Sequence, residues 1–125
     1  MLIYRAMKAN IKGRPELGRT GRTLGVRIPV DIQPDEDGYV HPKTGGMSFT
    51  PENPMLLPRH KKPLSMGGTG RDPVFQLDTA KLSFLLAARL DNPRHGTVEP
   101  ANKCLLTTYE QAIISTQENW EFFND

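Results

Sequence analysis

Apolar and polar residues alternate in short runs along the chain, and proline or glycine stops most of them within a few residues. In the first run Leu2, Tyr4 and Ala6 fall on one side of an extended segment and Ile3, Arg5 and Met7 on the other. This predicts a strand over residues 2–9. Residues 24–28 repeat the pattern through Leu24, Val26 and Ile28. Pro29 and Pro34 bracket a further extended piece, 30–33, which proline confines to an edge or an irregular path. Over 47–50, Met47 and Phe49 point one way and Ser48 and Thr50 the other. Residues 74–78, 86–90 and 95–101 complete the extended set, with a short helical turn over 80–85 capped by Asp78 or Thr79. Helical spacing is clear in one place. Tyr109, Ala112, Ile113, Thr116 and Trp120 recur at three- and four-residue steps, which predicts a helix from Thr107 or Thr108 to about Phe122. Glu110 follows Thr107 at capping-box spacing. Short strands with a C-terminal helix packed on them define an α+β class, built on a small mixed or antiparallel sheet. A length of 125 residues fits a single domain, 1–125.

The segments between these elements carry most of the charge. Lys12, Arg14, Arg19 and Arg22 make 10–23 a basic, glycine-rich loop without periodicity, expected to be mobile. Four prolines over 51–63 predict an extended surface path around the cluster Arg59-His60-Lys61-Lys62. Residues 67–73 form a second glycine-rich loop, with Arg71 on a glycine hinge from which it can swing toward an anion. The loop has neither the Gly-Lys-Ser/Thr ending of a P-loop nor the spacing of a dinucleotide fingerprint. With 11 glycines, 11 prolines and only 37% hydrophobic residues, the chain should form a small core with many defined turns.

A net charge of +2 is too mild for a dedicated nucleic-acid binder. The basic clusters also lie apart from Phe84, Tyr109, Trp120, Phe122 and Phe123, so a nucleic-acid partner stays open but is not favoured. The lone Cys104, expected in the core, excludes an intrachain disulfide and a multi-cysteine zinc site. His41, His60 and His95 are isolated, so no metal is expected. No apolar run is long enough to span a membrane, and the opening residues do not read as a signal peptide.

Four groups of residues hold candidate chemistry. Arg5 is the one charge inside an apolar strand. Either its stem lies over the sheet edge with its head in water, or its guanidinium holds a phosphate or carboxylate in bidentate fashion. Gly45-Gly46 followed by Ser48 and Thr50 is either a turn leading into an amphipathic strand or the polar floor of a phosphate-bearing ligand site. Ser48 and His95 form a candidate nucleophile and base. Glu99 is either a surface carboxylate or a partly desolvated acid/base group near His95.

Three groups of residues, in order along the chain, carry a resemblance. They are Tyr4-Arg5-Ala6 with Lys8-Ala9-Asn10, then Asp37-Gly38-Tyr39-Val40 with Pro42 and Thr44 to Phe49, then His95, Val98, Pro100 and Ala101 with the helix bearing Tyr109 and Trp120. Together they resemble the Tse-two toxin family, growth-arrest effectors of bacterial type VI secretion thought to share the ADP-ribosyltransferase fold. The resemblance implies NAD as the substrate that is bound. It implies Tyr4, Arg5, Gly45, Gly46, Met47 and Ser48 around it, with Arg5 on a phosphate and Gly46, Met47 and Ser48 as the nicotinamide-side wall, and Arg71 as a further cofactor-binding cation. Ser48, His95 and Glu99 are the implied catalytic residues. The expected activity is transfer of ADP-ribose from NAD to a cytosolic target, in the toxin's own cytoplasm or after delivery to another cell, with an immunity protein as protective partner. A nucleic-acid-directed toxin and a non-enzymatic partner-binding domain are the alternatives.

Overall fold

The computed structural model describes residues 1–124. Its centre is a six-stranded sheet in which all neighbours run antiparallel. β1 (Leu2–Ala6), β3 (Met47–Pro51), β4 (Val74–Asp78), β5 (Leu86–Asn92), β6 (His95–Pro100) and β8 (Glu121–Phe122) lie in the order β5-β6-β3-β1-β4-β8. A small second sheet pairs β2 (Tyr39–Val40) with β7 (Cys104–Leu105), and a single helix α1 (Leu106–Ile114) follows at once. The α+β class read from the sequence is therefore correct, and the sheet is antiparallel.

Strand alternation sets the two sides of the sheet. Ile3, Met7, Met47, Phe49, Phe75, Leu77 and Val98 bury one face against Tyr109, Ala112 and Ile113 of α1 and against Trp120. On the other side Tyr4 and Val74 pack with Leu57, Met66 and Phe123, and the Tyr4 and Phe123 rings meet edge to face at 5.5 Å. β1 pairs β4 along its full length, from Leu2↔Asp78 to Ala6↔Val74. It pairs β3 only at Ile3↔Pro51 and Tyr4↔Thr50. Beyond Tyr4 the two strands part, and Arg5 sits at that fork.

Several expected elements take another form. Residues 24–28 and 30–33 are not strands. Leu24, Val26 and Ile32 are fully buried all the same, so these residues contribute side chains to the core without joining a ladder, in a segment interrupted by Gly25 and Pro29. α1 ends at Ile114, well short of Phe122. Ser115 and Thr116 donate their hydroxyls back to the carbonyls of Ala112 and Ile113, which competes with further helix, and the Trp120 indole then donates to Thr116 Oγ1 at 3.0 Å. The chain turns over Gln117–Asn119 and re-enters the sheet as β8. The capping box is absent: the N-cap residue is Leu105, without a side-chain bond, and Glu110 instead takes a two-pronged pair from Arg19 at 2.6 and 2.8 Å.

The basic loop over 10–23 is tied down, contrary to expectation. Besides Arg19, Arg14 donates to the Trp120 carbonyl at 2.7 Å, and Arg22 grips Asp72 with two bonds of 2.7 Å. The 51–63 path is folded into a 3-10 turn, Pro54–Leu56, and a turn through Lys61 and Lys62, both of whose amides bond the Pro58 carbonyl. Cys104 is half-buried in β7 rather than sealed in the core. Among the described residues no helix is long and apolar enough to cross a membrane.

Candidate functional site

Where β1 and β3 part, the chain leaves a cavity of about 280 Å³. Arg5 and Ser48 line it from the sheet, Arg27, His60 and Lys61 from the loops, and His95 from the start of β6, with Leu57 and Pro58 as an apolar wall. Among the described residues no carboxylate lines it.

Arg5 is 6% exposed, which settles the first alternative: its head is not in water. One terminal nitrogen donates to the Ser48 carbonyl at 2.9 Å and to Ser48 Oγ at 3.2 Å. The other donates to the carbonyls of Thr23 at 2.9 Å and Thr20 at 3.4 Å. Its Nε is buried with no partner. Every hydrogen-bond acceptor is neutral, so no carboxylate touches the guanidinium among the described residues. Burial pushes its pKa down to about 10, with Asp31 opposing the fall, so the group stays charged at neutral pH. A buried cation without a counter-ion and with an unused donor is costly, and an anion in the cavity would offset that cost.

The neighbouring cations differ in how they are satisfied. Arg27 is neutralised by Asp31, which accepts from its side chain at 2.9 and 3.2 Å and from its amide at 2.7 Å. Lys61 donates to the Gly21 carbonyl at 3.1 Å and, among the described residues, forms no salt bridge, and burial together with the nearby Arg5 lowers its pKa. His95 Nδ1 bonds Asp91 at 2.6 Å, leaving Nε2 for another partner. Ser48 Oγ accepts from Arg5, so serine and guanidinium form one polar unit suited to holding an oxyanion.

The expected catalytic residues share one face of the sheet. Ser48 stands opposite Thr97, so His95 and Glu99, two residues to either side of Thr97, are each diagonal to Ser48, at about 7–8 Å in ordinary sheet geometry. His95 lines the cavity and Glu99 does not. The Glu99 carboxylate is buried, accepting from the Lys43 amide at 2.7 Å and from Arg89 Nε at 3.1 Å on the same oxygen. Lys43 itself holds a left-handed backbone, φ 65°, unusual for a residue with a Cβ.

The remaining expected ligand residues divide. Tyr4 lines the cavity; Arg71 lines a second, adjacent one. Met47 points into the core, because alternation sends it opposite to Ser48, and it lines no part of the cavity. Gly45 and Gly46 are not among the lining residues either. A Cβ on Gly45 would strike the Asp31 carbonyl and one on Gly46 the Val98 carbonyl, so both glycines serve close backbone packing. The buried Tyr109 hydroxyl sits in the same knot, accepting from the Met47 amide at 3.2 Å and donating to the Val98 carbonyl at 2.5 Å. Burial pushes its pKa up, so it remains a donor.

Three basic residues of the cavity carried no ligand role in the sequence reading: His60 and Lys61 were visible only as part of a basic cluster, and Arg27 lay in a segment expected to be a strand. Among the described residues no cluster of three or more potential metal ligands occurs. A comparison with protein-family models and with characterised proteins finds no match to the chain.

Proposed function

We propose that the protein is a growth-arrest toxin with an ADP-ribosyltransferase-like architecture, whose basic cavity holds the phosphates of NAD. The observation that carries the reading is Arg5: a buried, charged guanidinium at the fork of two strands, bonded to Ser48 and, among the described residues, in no salt bridge. A phosphate there would lie beside the Arg5 guanidinium and receive donors from Ser48 and Lys61. In the proposed reaction the C–N bond to nicotinamide breaks, nicotinamide leaves with the electron pair, and a target nucleophile attacks the cationic anomeric carbon and gives up its proton. A carboxylate near that carbon stabilises the cation. Glu99, on the Ser48 face, is the candidate, and it acts only when the turn bearing Lys43 moves away from it. An immunity protein that protects the producing cell belongs to the same proposal.

The test combines expression with chemistry. Cytosolic expression should arrest growth, and purified protein should release nicotinamide from NAD. Ser48→Ala should abolish both while keeping the wild-type unfolding midpoint. Folded wild-type protein that arrests growth without binding NAD or releasing nicotinamide would sink the enzymatic reading.

A further inference from the structure

We infer that the Arg5 cavity is one half of a bipartite polyanion site whose other half lies beyond Lys61, beside Arg71, and that its ligand carries two linked phosphates, one for each half. The inference rests on the NAD reading for the natural ligand, and on geometry for the two halves. The second cavity, about 210 Å³, is lined by Arg22, Thr69, Gly70, Arg71 and Asp72, and it shares Ala6, His60 and Lys61 with the first. The two therefore lie side by side with Lys61 between them.

Charge accounting points the same way. Among the described residues the one acid in either lining, Asp72, is engaged by Arg22 through both oxygens, and Arg27 is engaged by Asp31. Among the described residues this leaves Arg5, Lys61 and Arg71 without a carboxylate partner: one in the first cavity, one shared and one in the second. Three cations in that order, none of them in a salt bridge, match two phosphates bridged over the central lysine. Linking the phosphates matters, because the second contact is then made within a ligand already held. A nucleic-acid strand fits less well: the aromatic rings of the linings, Tyr4 and Phe49, are almost wholly buried and offer no face for stacking.

Calorimetric titration of the full chain at low ionic strength, with inorganic phosphate and with pyrophosphate as probes, tests the inference. Pyrophosphate should bind about tenfold more tightly than phosphate, the effect of one added charge-assisted contact. Arg71→Ala, a change at an exposed loop position, should remove that advantage and leave phosphate affinity within about twofold. Lys61→Ala should weaken both probes. Equal affinity for the two probes, or an Arg71→Ala loss that is the same for both, overturns the bipartite site. So does a single-stranded oligonucleotide that binds and is not displaced by pyrophosphate. NAD titrated alongside separates the two proposals. NAD binding without a pyrophosphate preference refutes the bipartite site alone. The predicted pyrophosphate pattern without NAD binding supports the site and refutes the NAD reading.

Discussion

Replacing Tyr109 by phenylalanine removes one oxygen from the joint that presents Ser48. The hydroxyl bridges β3 and β6, taking the Met47 amide proton and giving its own to the Val98 carbonyl, and all three residues are about 1% exposed. Phenylalanine fills nearly the same volume, so no cavity term enters. Losing the bond to Val98 costs about 1 kcal/mol net, and leaving the Met47 N–H buried without a partner costs a further ~1–3 kcal/mol. The sum, about 2–4 kcal/mol, is a large share of the ~5–15 kcal/mol that holds a typical domain together. With a urea m-value of about 1.5 kcal/mol/M, the unfolding midpoint should fall by about 1.3–2.7 M at unchanged m. Phosphate affinity should also weaken, since β3 carries Ser48 to the cavity. A midpoint within about 0.3 M of wild type would refute the claim that this hydroxyl joins the two strands.

Three further outcomes follow from the same geometry. Arg5→Met should leave stability without ligand within about 1 kcal/mol of wild type, because the ~3 kcal/mol held in lowering the pKa from 12.5 to about 10 is offset by carbonyls left without donors. Phosphate should then raise the urea midpoint of wild type and not of the variant. Glu99→Gln should lower stability by about 1–2 kcal/mol through its weakened bonds to Lys43 and Arg89. It should leave phosphate affinity within about twofold in calorimetry, since Glu99 is outside the lining. Asp72 is held below the usual carboxylate range by its bonds to Arg22, so its folded pKa lies below its unfolded value. That contribution is complete above the unfolded pKa of 3.8 and is lost as pH falls through the folded pKa. Urea midpoints of Asp72→Asn should therefore fall less steeply below pH 4 than those of wild type.

The sequence shows the strands well where alternation and sheet pairing agree. β3 and β4 fall where period-two patterning puts them, β1 takes the first five residues of its expected 2–9 run, β5 and β6 overlie the extended pieces expected at 86–90 and 95–101, and the Asp78 cap bonds the Ala80 amide at 3.0 Å. It misleads at residues 24–28, because a buried irregular segment can carry the same apolar alternation as a strand. It misleads again after Ile114, because spacing cannot show that Ser115 and Thr116 turn their hydroxyls back onto the helix. At the site, Arg5 and Ser48 were legible as a charge inside an apolar strand and a polar face beside glycines. The Lys61 contact was not, since it depends on a proline-rich loop folding back to within 3.1 Å of the Gly21 carbonyl. The roles of Gly45, Gly46 and Met47 could not be separated from that of Ser48 without knowing which face of β3 meets the core.

A crystal structure of the protein soaked with NAD is the most direct test of the account. A phosphate of NAD should then lie within hydrogen-bonding distance of Ser48 Oγ and Lys61 Nζ, beside the Arg5 guanidinium. A dinucleotide bound elsewhere, for example in the groove between Leu17 and Ile114 under the Arg19–Glu110 pair, or an Arg5 cavity left empty at saturating NAD, would contradict it.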